Sequence, residues 1–429
     1  MELLSARKAC FRYQLRLNAA LLAAKQPRLA ALRPLRGQEL SVRETDVAIV
    51  GAGLAGSLAA TMLGRAGHAV TLIDPFDTCR PDFRCEKLEE PHVGALRKAG
   101  VLDEVLTAAH RYRGIWVARL GRLAEIKPIV EYGIEYGALV NRLRSLVPPN
   151  VAFLQSKVTD VALGDERQTL TLLSGETISA RLVIAANGLM PGVTGERREI
   201  SRCHSVSIGF DVETAARPPF AALTYFGETP AARVAYFTLF PLETGWRVNL
   251  FVYRDLNDPW VKRLRDDPAA TMADAMPGLW QLTGALRVKG AMKIRPVDLV
   301  ATDKPPQPGV ALVGDAFSTA CPVSGTGAVK ALVDAERLCN RYVPTWLATP
   351  GMGVEKIAQY YGDPDKRRSD AQSLRTSLFA KRMTLGEGPL WRTIRWGYYA
   401  GGRARHFARH GALARTPDDT PIQVRAATR

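Results

Sequence analysis

The sequence predicts an α/β fold: a parallel-sheet nucleotide domain built from separated stretches, an antiparallel sheet inserted between them, and a helical C-terminal segment. Three observations carry this. A glycine-rich turn at 51–56 joins an apolar strand to a helix, a second strand–turn–helix unit lies at 310–340, and period-two segments fill the interval from about 201 to 299.

Val47–Val50 is a short run rich in β-branched residues, the pattern of a strand buried on both faces. Gly51, Gly53 and Gly56 then form G-x-G-x-x-G, with Ala55 inside the turn. Leu54–Arg65 reads as the following helix, Gly67 as its end and Ala69–Ile73 as the second strand. In such a unit the first glycine allows the sharp reversal, the second lets a pyrophosphate reach the backbone, and the third permits close helix–strand packing. The helix N-terminus adds unpaired N–H groups and the positive end of its dipole. Asp74 closes the second strand, where an acid binds the ribose hydroxyls of FAD or NAD. The uncharged stretch Val47–Gly64 has the length of a membrane span, but its glycines and β-branched start fit strand, turn and helix better.

In the second unit, strand Val310–Val313 runs into Gly314-Asp315. Pro322 precedes a small-residue loop with Gly325, Thr326 and Gly327, and a helix begins at Ala328. Two such motifs in this order resemble the para-hydroxybenzoate-hydroxylase-like FAD-dependent monooxygenases, which are glutathione-reductase-like Rossmann flavoproteins. The resemblance covers about residues 45–340. It implies a Rossmann-like FAD-binding domain with an inserted antiparallel β-sheet substrate domain. It also implies that Asp315 binds the ribityl chain of FAD and that the Gly325–Gly327 turn meets the pyrimidine edge of the flavin. Arg84, in DFRCEKLEE, stands where that family has a flavin-contacting arginine. The chain departs from the family in places. Asn187-Gly188 replaces an Asp-Gly pair, Pro191 and Thr194 occupy the following Ser and Arg positions, and Tyr136 stands where an arginine opens the helix at 136–146. Arg142 is the nearby candidate to compensate.

The expected organisation is a basic extension (1–43), FAD-domain segments at 44–115, 136–200 and 300–345, substrate-domain strands at 116–135, a substrate domain at 201–299, and a C-terminal helical region with a basic tail (346–429). Within the substrate domain, Ser205–Val212, Ala222–Phe226, Val234–Phe240, Trp246–Arg254 and Leu286–Ile294 alternate as strands, with a helical stretch at about 259–280. Val234, Tyr236, Thr238 and Phe240 are expected on one face. Tyr225, Tyr236, Phe240, Trp246 and Phe251 together suggest an apolar pocket for an aromatic or hydrophobic substrate. No Ser-His-Asp set and no metal-ligand cluster is present in the sequence. His92 and His204 lie near the proposed site, and a surface or satisfied-core role is the simpler reading of each.

The net charge of +16 raises the question of nucleic acid, but its distribution argues against it. Residues 1–43 carry +7, residues 363–429 carry +8, and the remainder is close to neutral. No nucleic-acid partner is expected. Six scattered cysteines suggest a reducing compartment and a cytoplasmic location. The basic ends read as helices docked on the body or as peripheral membrane contacts, and the N-terminal one also as a targeting peptide.

By resemblance, the expected activity is FAD-dependent monooxygenation of an apolar or aromatic small molecule by molecular oxygen through a flavin hydroperoxide. NADH, NADPH or a partner reductase would supply electrons. The alternatives are a flavin-dependent reductase, dehydrogenase or halogenase acting on an isoprenoid, quinone-like or aromatic substrate, and a non-enzymatic prenyl-lipid carrier.

Overall fold

The computed structural model describes residues 42–189, 197–303 and 306–410, all within the compact unit Val42–Arg429. The expectations for the basic extension, for Pro191 and Thr194, and for the basic tail beyond residue 410 therefore lie outside the described residues, apart from Val42 and Arg43.

Fifteen strands are described: β1 (Arg43–Val50), β2 (Val70–Asp74), β3 (Lys87–Leu88), β4 (His110–Arg119), β5 (Arg122–Gly133), β6 (Ala152–Gln155), β7 (Val158–Ala162), β8 (Gln168–Leu172), β9 (Thr177–Ala185), β10 (Arg197–Thr214), β11 (Ala222–Phe226), β12 (Val234–Leu242), β13 (Gly245–Val252), β14 (Leu286–Thr302) and β15 (Val310–Leu312). The α-helices are α1 (Leu54–Arg65), α2 (Glu90–Lys98), α3 (Leu102–Leu106), α4 (Tyr136–Ser145), α5 (Pro259–Asp266), α6 (Pro268–Ala275), α7 (Trp280–Thr283), α8 (Gly327–Arg337), α9 (Val343–Leu347), α10 (Val354–Tyr361), α11 (Pro364–Leu385) and α12 (Pro389–His410).

The first sheet runs β6-β2-β1-β9-β8-β7, with β15 also on β9. Its central pairs (β2–β6, β1–β2, β1–β9 and β9–β15) are parallel, so their C-terminal ends lie on one side. Helix α1 crosses between β1 and β2, and residues from Leu54 to Gly64 are buried. Leu58, Leu63, Leu182, Ile184 and Leu332 meet in the core between this sheet and its helices.

The second sheet runs β14-β10-β13-β12-β11-β4-β5-β3. Every pair is antiparallel except β4–β11, which is parallel. The expected substrate-domain strands thus join the sheet through one parallel seam, and β4 starts at His110 rather than at 116. Asp258 and Asp267 accept backbone N–H bonds at the starts of α5 and α6, each just before a proline at the first helical position. These helices and α7 cover one face of the sheet, which we term the back. There Ile208, Phe210, Phe237, Leu239 and Leu250 are fully buried with Leu264, Met272 and Leu279. Each such side chain stabilises the domain by roughly 1.5–3 kcal/mol relative to exposure.

Candidate cofactor and substrate site

Three chain reversals meet at the C-terminal ends of β1, β9 and β15. Gly51 follows β1 with φ +100°, and a Cβ there would come within 2.7 Å of the Ala186 carbonyl just past β9. A Cβ on Gly56 would overlap the Gly51 carbonyl. These two glycines are therefore needed for the turn itself. Gly53 differs: a Cβ there would meet no atom within 4 Å, and it precedes α1 without a side-chain cap. The first turn of α1 carries no acid and no side chain caps its N–H groups, and the space beside Gly53 is open. That is a fit for a pyrophosphate. Ala55 is buried in the same turn and faces Gly314.

Asp74 ends β2 and spans the turn. Its carboxylate accepts from Ala52 N at 2.7 Å and from Phe76 N at 2.9 Å. Each oxygen keeps acceptor capacity for a hydroxyl. Arg142 is not at this site: its guanidinium donates to Glu104 O and to Ser145 Oγ. Arg144, one position beyond Leu143, approaches instead. It donates to Ala52 O at 2.8 Å and to Phe76 O at 2.7 Å, and lies 3.7 Å from Asp74. The alternation of Arg142, Leu143 and Arg144 did not disclose the helix phase.

The second turn lies beside the first. Gly314 N donates to Asp334 Oδ2, and Lys330 Nζ donates to Gly314 O. Asp315 pairs with Arg84 at 3.0 Å, across 231 positions of sequence. Arg84 also holds Asp82 at 2.7 Å and stands over the Tyr136 ring at 5.7 Å. Burial opposes ionisation of Asp82, but Arg84 and Arg295 outweigh it and lower its pKa. Burial pushes Tyr136 up to about 12. Pro322–Ser324 form a single 3-10 turn that ends at Gly325 in the left-handed region. Thr326 then caps α8, its hydroxyl 2.7 Å from Ser324 Oγ and 2.8 Å from Ser373 Oγ. Gly325 would place a Cβ in open space and Gly327 meets only the Ala320 methyl, leaving the approach to this helix end clear.

The segment bearing Arg84 is pinned to the front face of the second sheet. Phe83 packs on Gly209, where a Cβ would lie 2.6 Å from the ring. Arg247 holds Glu86 through two bonds of 2.7 and 2.8 Å and Asp211 through one of 2.9 Å. The Arg247 and Glu86 side chains are 5% and 1% exposed, so this pair is buried. Burial raises the Glu86 pKa even against Arg247.

The five aromatic pocket candidates separate. Register pairs Tyr236 with Phe251, and the two rings lie 4.8 Å apart on the front face. Phe240 is on the same face but further along, against Tyr112. Tyr225 and Trp246 belong to the back face: Tyr225 is fully buried there, and Trp246 packs edge-on to Phe220. Val234 also faces the back, because a bulge between Val234 and Tyr236 breaks the alternation.

Tyr236 donates to Val323 O at 3.0 Å, joining the front face to the 322–327 turn. Around this contact lie Phe251, Tyr253, Leu299, Cys321 and Val323. Ser207 Oγ is buried here without a hydrogen-bond partner among the described residues, the Tyr253 hydroxyl has only the Cys321 thiol beside it, and His204 meets Ser201 Oγ at 3.0 Å through Nδ1 with the Ser377 backbone also beside its ring. The sequence places His204 near the site with a surface or satisfied-core role as its simpler reading, and the structure buries it beside Tyr253. Burial and the charge of Lys381 push its pKa down to about 4, so the ring is neutral at pH 7. The two glycine turns thus present backbone that fits a dinucleotide, and beside them lies a packed apolar cluster with a few buried polar atoms.

A family model described as an FAD binding domain matches residues 44–343. The 3-demethoxyubiquinol 3-hydroxylase of Escherichia coli (strain K12) is 28% identical over 339 residues, which cover 71% of this chain and 83% of that protein. The squalene monooxygenase of Rattus norvegicus is 26% identical over 320 residues, 68% of this chain but only 54% of that longer protein. Among solved structures, p-nitrophenol 4-monooxygenase PnpA from Pseudomonas putida DLL-E4 superposes with a TM-score of 0.69 at 19% identity, covering 84% of this chain and 94% of that one.

Proposed function

The chain belongs to the FAD binding domain family of flavin-dependent oxidoreductases, and on that premise we propose that it is a monooxygenase acting on a small, largely apolar molecule that carries at least one polar group. When bound, FAD would activate molecular oxygen, one atom of which passes to the substrate while the other leaves as water, with two electrons from NADH, NADPH or a partner reductase. The observation that carries this reading is the meeting of the two turns, joined by the Arg84–Asp315 pair, next to the apolar cluster of Tyr236, Phe251 and Tyr253.

The residues divide the work. The backbone from Gly51 to Gly56 holds the pyrophosphate, Asp74 the ribose hydroxyls, and Asp315 the ribityl chain. Backbone N–H groups at the start of α8 hold the pyrimidine edge, where a helix N-terminus favours negative charge. Tyr236 and Phe251 exclude water from the reacting position. Ser207 orients a hydroxyl, carbonyl or amino group of the substrate, because leaving its buried hydroxyl unpaired costs free energy that a complementary group recovers. A ring-hydroxylated or quinone-like aromatic meets both requirements.

Peripheral membrane contact through the basic C-terminal helices completes the proposal, since apolar substrates concentrate in bilayers. No helix among the described residues is long and apolar enough to cross a membrane. The test is a visible spectrum of purified protein, followed by oxygen consumption with candidate phenols and quinols plus NAD(P)H. Flavin bands with substrate-dependent oxygen uptake are expected. Equal turnover without oxygen would replace the monooxygenase with a reductase or dehydrogenase.

A further inference from the structure

Helices α11 and α12 form a hairpin that differs from the rest of the described surface. Leu378 and Phe379 on α11 and Leu390, Trp396, Tyr398 and Phe407 on α12 are exposed, the last four by 60–66%. Helix α12 also carries Arg392, Arg395, Arg403, Arg405 and Arg409 and no carboxylate. Its far end is spoken for: Arg403 donates to Leu123 O, and Arg405 and Arg409 pair with Glu125 on β5. Its near end makes no ion pair among the described residues.

Between that near end, the β4–β5 turn and the connection from β11 to β12 lies a cavity of about 910 Å³. Arg119, Arg392 and Arg395 line it. Arg119 is held by the carbonyls of Gly227 and Glu228, and Arg395 by those of Met383 and Gly386. Carbonyls fix the two guanidinium groups but do not neutralise them. Burial, and then the facing charge of Arg395, lower the pKa of Arg119. The guanidinium of Arg392 has no hydrogen-bond or ion-pair partner among the described residues. Two carboxylates also line the cavity. Glu228 is occupied, accepting from the Tyr225 hydroxyl at 2.5 Å and from Gly278 N at 2.8 Å, while Glu387 is exposed at the rim.

Three guanidinium groups against two carboxylates, beneath a rim of exposed Trp396 and Leu120, suit a ligand that is anionic at one end and apolar at the other. We propose that this cavity binds the phosphate headgroup of an anionic phospholipid, so that the α11–α12 hairpin lies on the bilayer with its aromatic residues at the headgroup level. This rests on the peripheral-membrane reading above and adds a site and a lipid charge to it. The site is remote in sequence and in lining residues from the groove at the glycine turns.

The experiment is co-sedimentation of the full chain, loaded with FAD, with vesicles of phosphatidylcholine alone or of three parts phosphatidylcholine to one part phosphatidylglycerol. Wild type should partition onto the mixed vesicles and weakly onto the neutral ones. Arg392→Glu should lower partitioning onto the mixed vesicles about tenfold. Arg265→Glu, the same charge change on α5 behind the second sheet, should alter it less than twofold. An unchanged flavin spectrum verifies that each variant is folded. Failure of wild type to bind either vesicle would sink the membrane reading and the site together. Binding that Arg392→Glu leaves intact would sink the site alone. The soluble-anion arm uses inorganic phosphate and pyrophosphate with Trp396 fluorescence as readout. Saturable millimolar binding there, with vesicle binding untouched by Arg392→Glu, would reassign the cavity to a free anion and overturn the lipid assignment.

Discussion

Gly53 and Gly56 sit three positions apart in one turn, yet alanine at each should fail in a different way. At Gly56 the new methyl overlaps the Gly51 carbonyl, which is backbone and cannot swing aside. Helix propensity favours alanine there by about 1 kcal/mol, but overpacking costs about 1–3 kcal/mol and the opened turn costs more. Gly56→Ala should therefore unfold more readily, with or without cofactor. At Gly53 the methyl meets nothing within 4 Å, and φ is −76°, where alanine is unstrained. Alanine is a poorer N-cap than glycine, so the loss of stability there should be about 0.5–1 kcal/mol. The same methyl projects where a pyrophosphate must approach, so FAD affinity should fall tenfold or more, at least about 1.4 kcal/mol. The assay is urea unfolding of the apoprotein followed by FAD titration through quenching of flavin fluorescence. Wild-type FAD affinity in a folded Gly53→Ala variant would refute the cofactor placement. A stable Gly56→Ala variant would refute the packing argument.

Three other outcomes are expected. Glu86→Gln leaves Arg247 buried beside only the half-exposed Asp211 and should cost about 3–5 kcal/mol, whereas the paired change Glu86→Leu with Arg247→Met should recover most of it; a single-variant loss under about 1 kcal/mol in urea would contradict the burial argument. Asp315→Ala should raise the Kd for FAD at least tenfold with little change in unfolding midpoint, because its pair with Arg84 is partly exposed; unchanged FAD affinity would remove Asp315 from the site. The third concerns pH. Burial lowers the pKa of His92 to about 4, against an ordinary value of 6.5. Its neutral ring accepts from Glu89 N at the start of α2. The unfolded chain takes up the proton first, so this stability is complete above pH 6.5 and is lost as pH falls toward 4, by roughly 3 kcal/mol. The advantage of wild type over His92→Gln should shrink through that window, and parallel stability curves would argue against it.

Much of the fold was legible because its signals are local. The strand Val47–Val50, the turn at 51–56 and helix Leu54–Arg65 each state their conformation within a few residues, and α1 begins and ends where the pattern placed it. Asp315 and Arg84 were singled out separately, and the structure joins them. What sequence concealed depended on phase or on distant partners. Leu143 is core, which leaves Arg142 and Arg144 as equal flanks until α4 docks against α1 and sends only Arg144 to Ala52. A single bulge in β12 returned Val234 to the back face while keeping Tyr236 at the front. Tyr225 and Trp246 looked equivalent to Phe251 because strand alternation tells inside from outside, not which of two covered faces meets the cofactor. The Glu86–Arg247 pair, 161 positions apart, left no trace in either local segment.

The position of β15 also governs how the chain is made. Strand β1 is flanked by β2 and β9, but β9 waits for β15, which ends about 127 residues after β9 does. At roughly 5–20 residues per second of synthesis, the apolar end of β9 emerges between about 6 and 25 s before its sheet can close. During that interval the Val183–Ala185 edge is a ready partner for other nascent chains. Overproduction of this protein should therefore be limited by the wait for its own last strand, and slower growth at low temperature or a trigger-type chaperone should raise the yield of folded protein more than added FAD, whose groove exists only once both turns have met.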